Sequence, residues 1–183
     1  DGLNANCQVY GYISSLDSTG FTVTSGTTVG NYVGSNSSNA MGDYVSWNWK
    51  AGGLGSINTD GTITSVVSTN QAAGFSIINY TGTGSAATIG HGLTSSPEFV
   101  IIKKTSAVEN WTVWHTDLTS SSYFLYLDID NAESDGANSV LSTTPSSSII
   151  SIGTSGLVNT SAAEYICYAW HSVANFSKIG TYT

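Results

Sequence analysis

Bulky apolar residues alternate with small or polar ones along most of the chain, and nowhere do apolar residues recur at helical spacing over three turns. The clearest run is Tyr165-Ile166-Cys167-Tyr168-Ala169-Trp170-His171, where Ile166, Tyr168 and Trp170 form the bulky set and Cys167, Ala169 and His171 the small or polar one. A period of two predicts a half-buried β-strand with its bulky set toward a core. The same pattern stands 121 residues earlier as Tyr44-Val45-Ser46-Trp47-Asn48-Trp49-Lys50. Trp47, Trp49 and Trp170 are accordingly expected in the core.

What flanks the two runs also matches. Asp43 and Glu164 each precede the tyrosine, and Phe21-Thr22-Val23-Thr24-Ser25-Gly26 resembles Ile150-Ser151-Ile152-Gly153-Thr154-Ser155-Gly156. Beyond the second run, Phe176-Ser177-Lys178-Ile179-Gly180-Thr181-Tyr182-Thr183 echoes Phe75-Ser76-Ile77-Ile78-Asn79-Tyr80-Thr81. Such repetition predicts tandem modules. Residues 1–50 read as the back part of one repeat and 51–73 as a Gly-rich hairpin, either a linker or an elaborated edge. Residues 74–171 read as a complete unit and 172–183 as the opening strand of another. The whole is expected to be an excerpt of a longer polypeptide.

Further strands are expected at 8–13, 21–24, 75–80, 87–89, 98–104, 111–115, 123–128 and 149–152, separated by Gly, Ser and Asn turns. The run 98–104 is apolar on both faces until Lys103 and Lys104, which predicts a central strand. Asn58-Thr59-Asp60-Gly61-Thr62 is a hairpin signal between Ile57 and Ile63. The fold class is therefore all-β, as antiparallel β-sandwich or jelly-roll modules with little or no helix.

Composition narrows the function. Charged residues make up 9% of 183, against roughly a quarter in ordinary domains, there is no arginine, and the formal charge is −8. Without a basic stripe, counterion release cannot drive nucleic-acid binding, and anionic membranes are disfavoured for the same reason. No run is apolar enough to insert in a membrane. Hydrophobic residues at 40% of the chain, with aromatics at 11% of it, supply enough surface to order the backbone.

Asp128-Ile129-Asp130-Asn131, with Glu133 and Asp135 nearby, is the densest acidic cluster. On a strand, Asp128 and Asp130 would share a face, which suits a calcium ion or a glycosidase pair; the alternative is a solvated strand exit. Calcium is the one cofactor that the sequence suggests. His91, His115 and His171 lack metal-ligand spacing and are expected to be packed or hydrogen-bonded within the sheet. No nucleophile elbow, phosphate loop or dinucleotide fingerprint is present, and no catalytic role is expected. Trp111, Trp114 and Tyr123, near Asn and Asp, are candidates for stacking on a sugar, with core packing as the alternative. Cys7 and Cys167 can form one disulfide or stay as buried thiols.

The segments Gly74-Phe75-Ser76-Ile77, Tyr80-Thr81-Gly82, Thr88-Ile89-Gly90-His91-Gly92-Leu93, Pro97-Glu98-Phe99-Val100-Ile101-Ile102-Lys103, Tyr165-Ile166-Cys167-Tyr168 and Phe176 to Thr183 together resemble a tandemly repeated β-rich module of phage virion proteins. That family occurs in tail fibres and other structural proteins, especially of phages of marine and freshwater bacteria. The resemblance implies a virion location and a structural role rather than a chemistry, and the reading drawn from it is host-surface attachment with glycan as the expected ligand. It also implies identical copies as partners, trimers by analogy with fibres, alongside other virion proteins. A decoration or fibre-forming protein without a ligand is the alternative, and a polysaccharide-degrading enzyme a more distant one. The module carries no catalytic residues to transfer.

Overall fold

A computed structural model describes residues 12–24 and 46–182, and the chain divides into two compact units, Asp1–Asn48 and Trp49–Thr183. In the first unit the described residues form one hairpin, β1 (Tyr12–Asp17) against β2 (Gly20–Thr24). Its register runs from Tyr12 opposite Thr24 to Asp17 opposite Gly20, with a bulge between Ile13 and Ser15. The Asp17-to-Gly20 turn is where the sequence places it. Ser14 and Ser15, expected to end the first strand, lie inside it.

The second unit is built on an eight-stranded antiparallel sheet. Its strands are β3 (Ser56–Asn58), β4 (Ser65–Asn70), β5 (Phe75–Thr81), β7 (Phe99–Lys104), β8 (Thr112–His115), β9 (Tyr123–Tyr126), β10 (Ser134–Asp135) and β12 (Glu164–Trp170). In space the order is β10-β9-β8-β7-β12-β5-β4-β3. Two further strands, β6 (Ala87–Gly90) and β11 (Ile149–Ile152), pair as a small second sheet. Single bridges from Ile63 to Ile89 and from Leu141 to Ile152 widen it. The helical residues are a 3₁₀ turn at Gln71–Ala73 and one turn, α1 (Gly156–Asn159), capped by the Ser155 hydroxyl accepting from the Leu157 N–H at 3.2 Å. The unit is an all-β sandwich with very unequal layers.

The core lies between the large sheet and the small one. Across the large sheet, Val67, Ile78, Cys167 and Ile102 stand opposite one another in a row, and Ala169, Val100 and Trp114 in the next. Ile89, Leu141, Ile150, Ile152 and Val158 close on them from the other layer. A fully buried aliphatic side chain contributes about 1.5–3 kcal/mol, so this face carries most of the unit's hydrophobic stabilisation. Gly90-His91-Gly92 turns the chain between layers. A side chain at Gly90 would collide with Asn58, and Gly92 takes φ +71°, which glycine alone tolerates without strain.

Three expectations are corrected. On β12 it is Tyr165, Cys167 and Ala169 that face the core, while Ile166, Tyr168 and Trp170 face outward. The reason is local volume: the flanking strands bring Ile78, Ile102 and Trp114 inward, which leaves room for small residues between them. Ser46 to Lys50 forms no strand, and Trp47 and Trp49 are 75% and 56% exposed rather than core; Val45 lies outside the described residues. Residues 176–182 likewise make no strand; Ser177 only bridges Val173. The repeated patterns therefore fold differently from their counterparts, because an alternating sequence becomes a strand only where a neighbouring edge takes up its backbone groups. The 51–73 segment supplies β3 and β4, as an elaborated edge of the sheet.

Candidate functional site

The outward face of the large sheet carries a ladder of rings. The pairing registers set Phe75, Trp170, Phe99 and His115 side by side on β5, β12, β7 and β8. Trp170 stacks on Phe75 at 4.9 Å between centroids, Phe99 lies 5.4 Å from Trp170, and His115 meets Phe99 edge-on at 6.0 Å. Trp49 packs on Phe75 at 6.3 Å and on Trp170 at 5.4 Å. A second line branches from Trp170 through Tyr168 at 6.2 Å to Trp111 at 6.5 Å. Neighbouring strands are about 4.8 Å apart, so rings in register on four of them form a continuous platform. Beside it run Ile77, Tyr168, Ile101, Val113 and Leu125, again in register.

At its β8 end the ladder meets a cavity of about 300 Å³ lined by Phe99, Val113, His115, Asp117, Leu118, Leu125 and residues 180–182. The Asp117 backbone N–H donates to His115 Nδ1 at 3.0 Å, and an Asp117 carboxylate oxygen lies 3.9 Å from the same nitrogen.

The residues singled out from sequence divide. Trp111 is half-buried on the outward face, stacked on Tyr168, and alternation along β9 puts Tyr123 on the same face as Leu125. Trp114 is not available to a ligand: it is 2% exposed and belongs to the core. Its indole Nε1 has no hydrogen-bond partner among the described residues. Asp128 and Asp130 are exposed and lie beyond the end of β9, so the shared strand face expected of them does not exist. Asp128 accepts the Trp111 N–H at 3.0 Å. Glu133 is tied to Thr119 and Asp135 to Ser122 and Ala137; these hydrogen bonds hold both carboxyls below their ordinary range. Asp128, Glu133 and Asp135 hold loops, and among the described residues no three metal-ligating side chains come together. Cys167 is a buried free thiol whose ionisation burial pushes far up, and Cys7 lies outside the described residues.

Most polar groups on the core side are paired, the Thr112 hydroxyl and the Trp114 indole N–H being the exceptions among the described residues. Tyr165 Oη donates to Gly156 O and accepts from the Thr160 N–H, both at 2.8 Å, and Tyr80 Oη donates to Val158 O at 2.7 Å. Burial first, then neighbouring Cys167 and Tyr165, raises the Tyr80 phenol. Asn159 is fully buried and fully used: its Oδ1 accepts the Thr83 N–H at 2.7 Å, and its Nδ2 donates to Ser85 O at 2.7 Å and Gly153 O at 2.8 Å. His91 accepts the Leu93 N–H on Nδ1 and sets Nε2 against Ser146 O, both at 3.1 Å, the arrangement of a neutral ring.

Sequence reasoning missed the ladder itself. Phe75, Phe99, Tyr168 and Trp170 were assigned no binding role, although the parity of Tyr165 with Cys167 and Ala169 is a signal that the opposite set could face outward. With both sets partly apolar, only the neighbouring strands decide.

No curated protein matches the chain. No solved structure matches it either. No helix among the described residues is long and apolar enough to cross a membrane. One family profile does match, over residues 3–183, and the chain accordingly belongs to the family described as a domain of unknown function, DUF7483.

Proposed function

We propose that this chain is a module of a phage virion appendage, that it contributes to attachment at the host surface, and that it does so by holding glycan on the outward face of its large sheet. The observation that carries the glycan part is the ladder from Trp49 through Trp170 and Phe99 to His115, with Tyr168 and Trp111 beside it; Phe75, 2% exposed, packs against Trp49 and Trp170 and offers no face to a ligand. Sugar rings present C–H faces that pack on π-systems, and strand spacing sets the rings at intervals comparable to successive sugars. A net charge of −8 and a surface rich in hydroxyl and amide groups suit neutral polyhydroxylated ligands in water. The virion assignment is supported by the resemblance of the Phe75–His171 segments to a virion module. Identical copies, a trimer by analogy with fibres, and other virion proteins are its proposed partners, and it binds without cleaving.

The experiment is a host-polysaccharide array probed with the wild-type protein and with Trp111→Ala and Tyr168→Ala, alongside competition of phage adsorption by the free protein. The proposal expects at least one host polysaccharide to bind, each variant to weaken it about tenfold, a change of about 1.4 kcal/mol, and adsorption to fall. Binding to none, in particles that still need the protein for integrity, would leave the decoration role instead.

A further inference from the structure

The cavity at the β8 end of the ladder has a chemistry of its own. Phe99, Val113, Leu118 and Leu125 give it carbon walls, His115 and Asp117 stand together as polar groups on the β8 side, and Thr181 and Tyr182 line it as well. Because His115 Nδ1 accepts the Asp117 N–H, the neutral ring carries its proton on Nε2. Neither that nitrogen nor the Asp117 carboxylate has a hydrogen-bond partner among the described residues. A donor and an acceptor therefore stand together beside an apolar pocket.

We propose that this cavity is a terminal subsite for one pyranose bearing a methyl group, supplied either by a 6-deoxy carbon or by an N-acetyl substituent. The proposal rests on the glycan reading above and adds the class of sugar. At about 300 Å³ the space is at the lower limit for small-molecule pockets, room for one ring within it. Adjacent ring hydroxyls can accept from His115 Nε2 and donate to Asp117. A methyl group directed at Val113 and Leu125 gains from leaving water, whereas a hydroxymethyl group there loses hydrogen bonds that carbon walls cannot replace. The Asp117 carboxylate in a protein of charge −8 repels uronic and other acidic sugars.

The test is amide chemical-shift titration of the protein with methyl α-L-rhamnopyranoside, N-acetylglucosamine, methyl α-D-glucopyranoside and glucuronic acid, repeated on Asp117→Ala and Val113→Thr. Expected are saturable shifts at Leu118, Leu125 and Thr181 with one or both methyl-bearing sugars, at least tenfold weaker binding of the glucoside, and none of glucuronic acid. Asp117→Ala should weaken binding at least tenfold, and Val113→Thr, which keeps the shape and adds a hydroxyl, should narrow the preference over the glucoside. Equal affinity for the glucoside, or shifts located elsewhere, overturns the proposal. If host polysaccharide binds wild type and both variants alike while the cavity amides stay silent, the subsite falls and the attachment role stands. If methyl-bearing sugars fill the cavity but no host polysaccharide binds, the subsite stands and the attachment role falls.

Discussion

Ile101 and Ile102 follow one another on β7, yet one is half-buried among rings and the other is 1% exposed among aliphatics. The same split runs across the sheet. The small second sheet packs on the inward face, where aliphatic and small side chains enclose the rings of Tyr80, Trp114, Phe124 and Tyr165, and the hydroxyls of Tyr80 and Tyr165 and the amide of Asn159 are paired. The other strands of this unit give the outward face no such cover, and its rings stack along the sheet instead. Aromatic pairs gain about 0.5–1.5 kcal/mol beyond burial, so they can order a half-covered face that aliphatics would leave loose. Stability is thus concentrated inward, while Trp111, Tyr168 and Trp170 on the outward face stay only half-buried.

Substitutions at paired positions on the two faces test this division. Ile102→Ala should cost about 2–5 kcal/mol, since it opens a cavity in a sealed layer, while Ile101→Ala should cost about 1 kcal/mol. Urea denaturation with unchanged slope measures both; similar losses would show that the outward face is as closely packed as the inward one. The tyrosines sharpen the contrast at a single oxygen. Tyr165→Phe orphans the Thr160 N–H and Gly156 O and should cost about 1–3 kcal/mol. Tyr168→Phe removes a hydroxyl with no partner among the described residues and should change stability by less than about 0.5 kcal/mol.

Most strands were legible because period-two patterning and Gly, Ser and Asn turns are local signals. Phe75–Thr81, Ala87–Gly90, Phe99–Lys104 and Ile149–Ile152 fall within a residue or two of where the sequence puts them, and β7 is central. Which face turns inward was not legible, because on β12 both sets are apolar enough and the choice depends on strands distant in sequence. The repeat was over-read for a related reason. Ser46 to Lys50 has the pattern of β12 but not its two strand neighbours, β5 and β7, which take up the backbone groups of the latter. Of the candidate residues, Trp111 and Tyr123 lie on the outward face and Trp114 does not, since alternation sends Trp114 to the face opposite Trp111 and Val113.

The sealed side also holds an ionisable group whose titration reads how well it is sealed. Burial lowers the His91 pKa below the ordinary 6.5; the Ser146 carbonyl and Asp60 oppose this, and His171 adds to it. Protonation would also turn Nδ1 into a donor facing the Leu93 N–H. With the folded-state pKa depressed, the unfolded chain binds the extra proton first, so stability is full above about pH 6.5 and declines below it. One proton limits the slope to about 1.4 kcal/mol per pH unit. The carboxylates of Glu133 and Asp135, also depressed, act in a lower window: their contribution is present above the ordinary carboxylate range and is lost only as pH falls through their folded values. Urea midpoints between pH 8 and pH 5 should therefore be level and then fall below about pH 6.5. In His91→Gln the fall in that interval should flatten, at the expense of some overall stability. A decline that survives the substitution would mean that the ring is not the titrating group and that water reaches this turn.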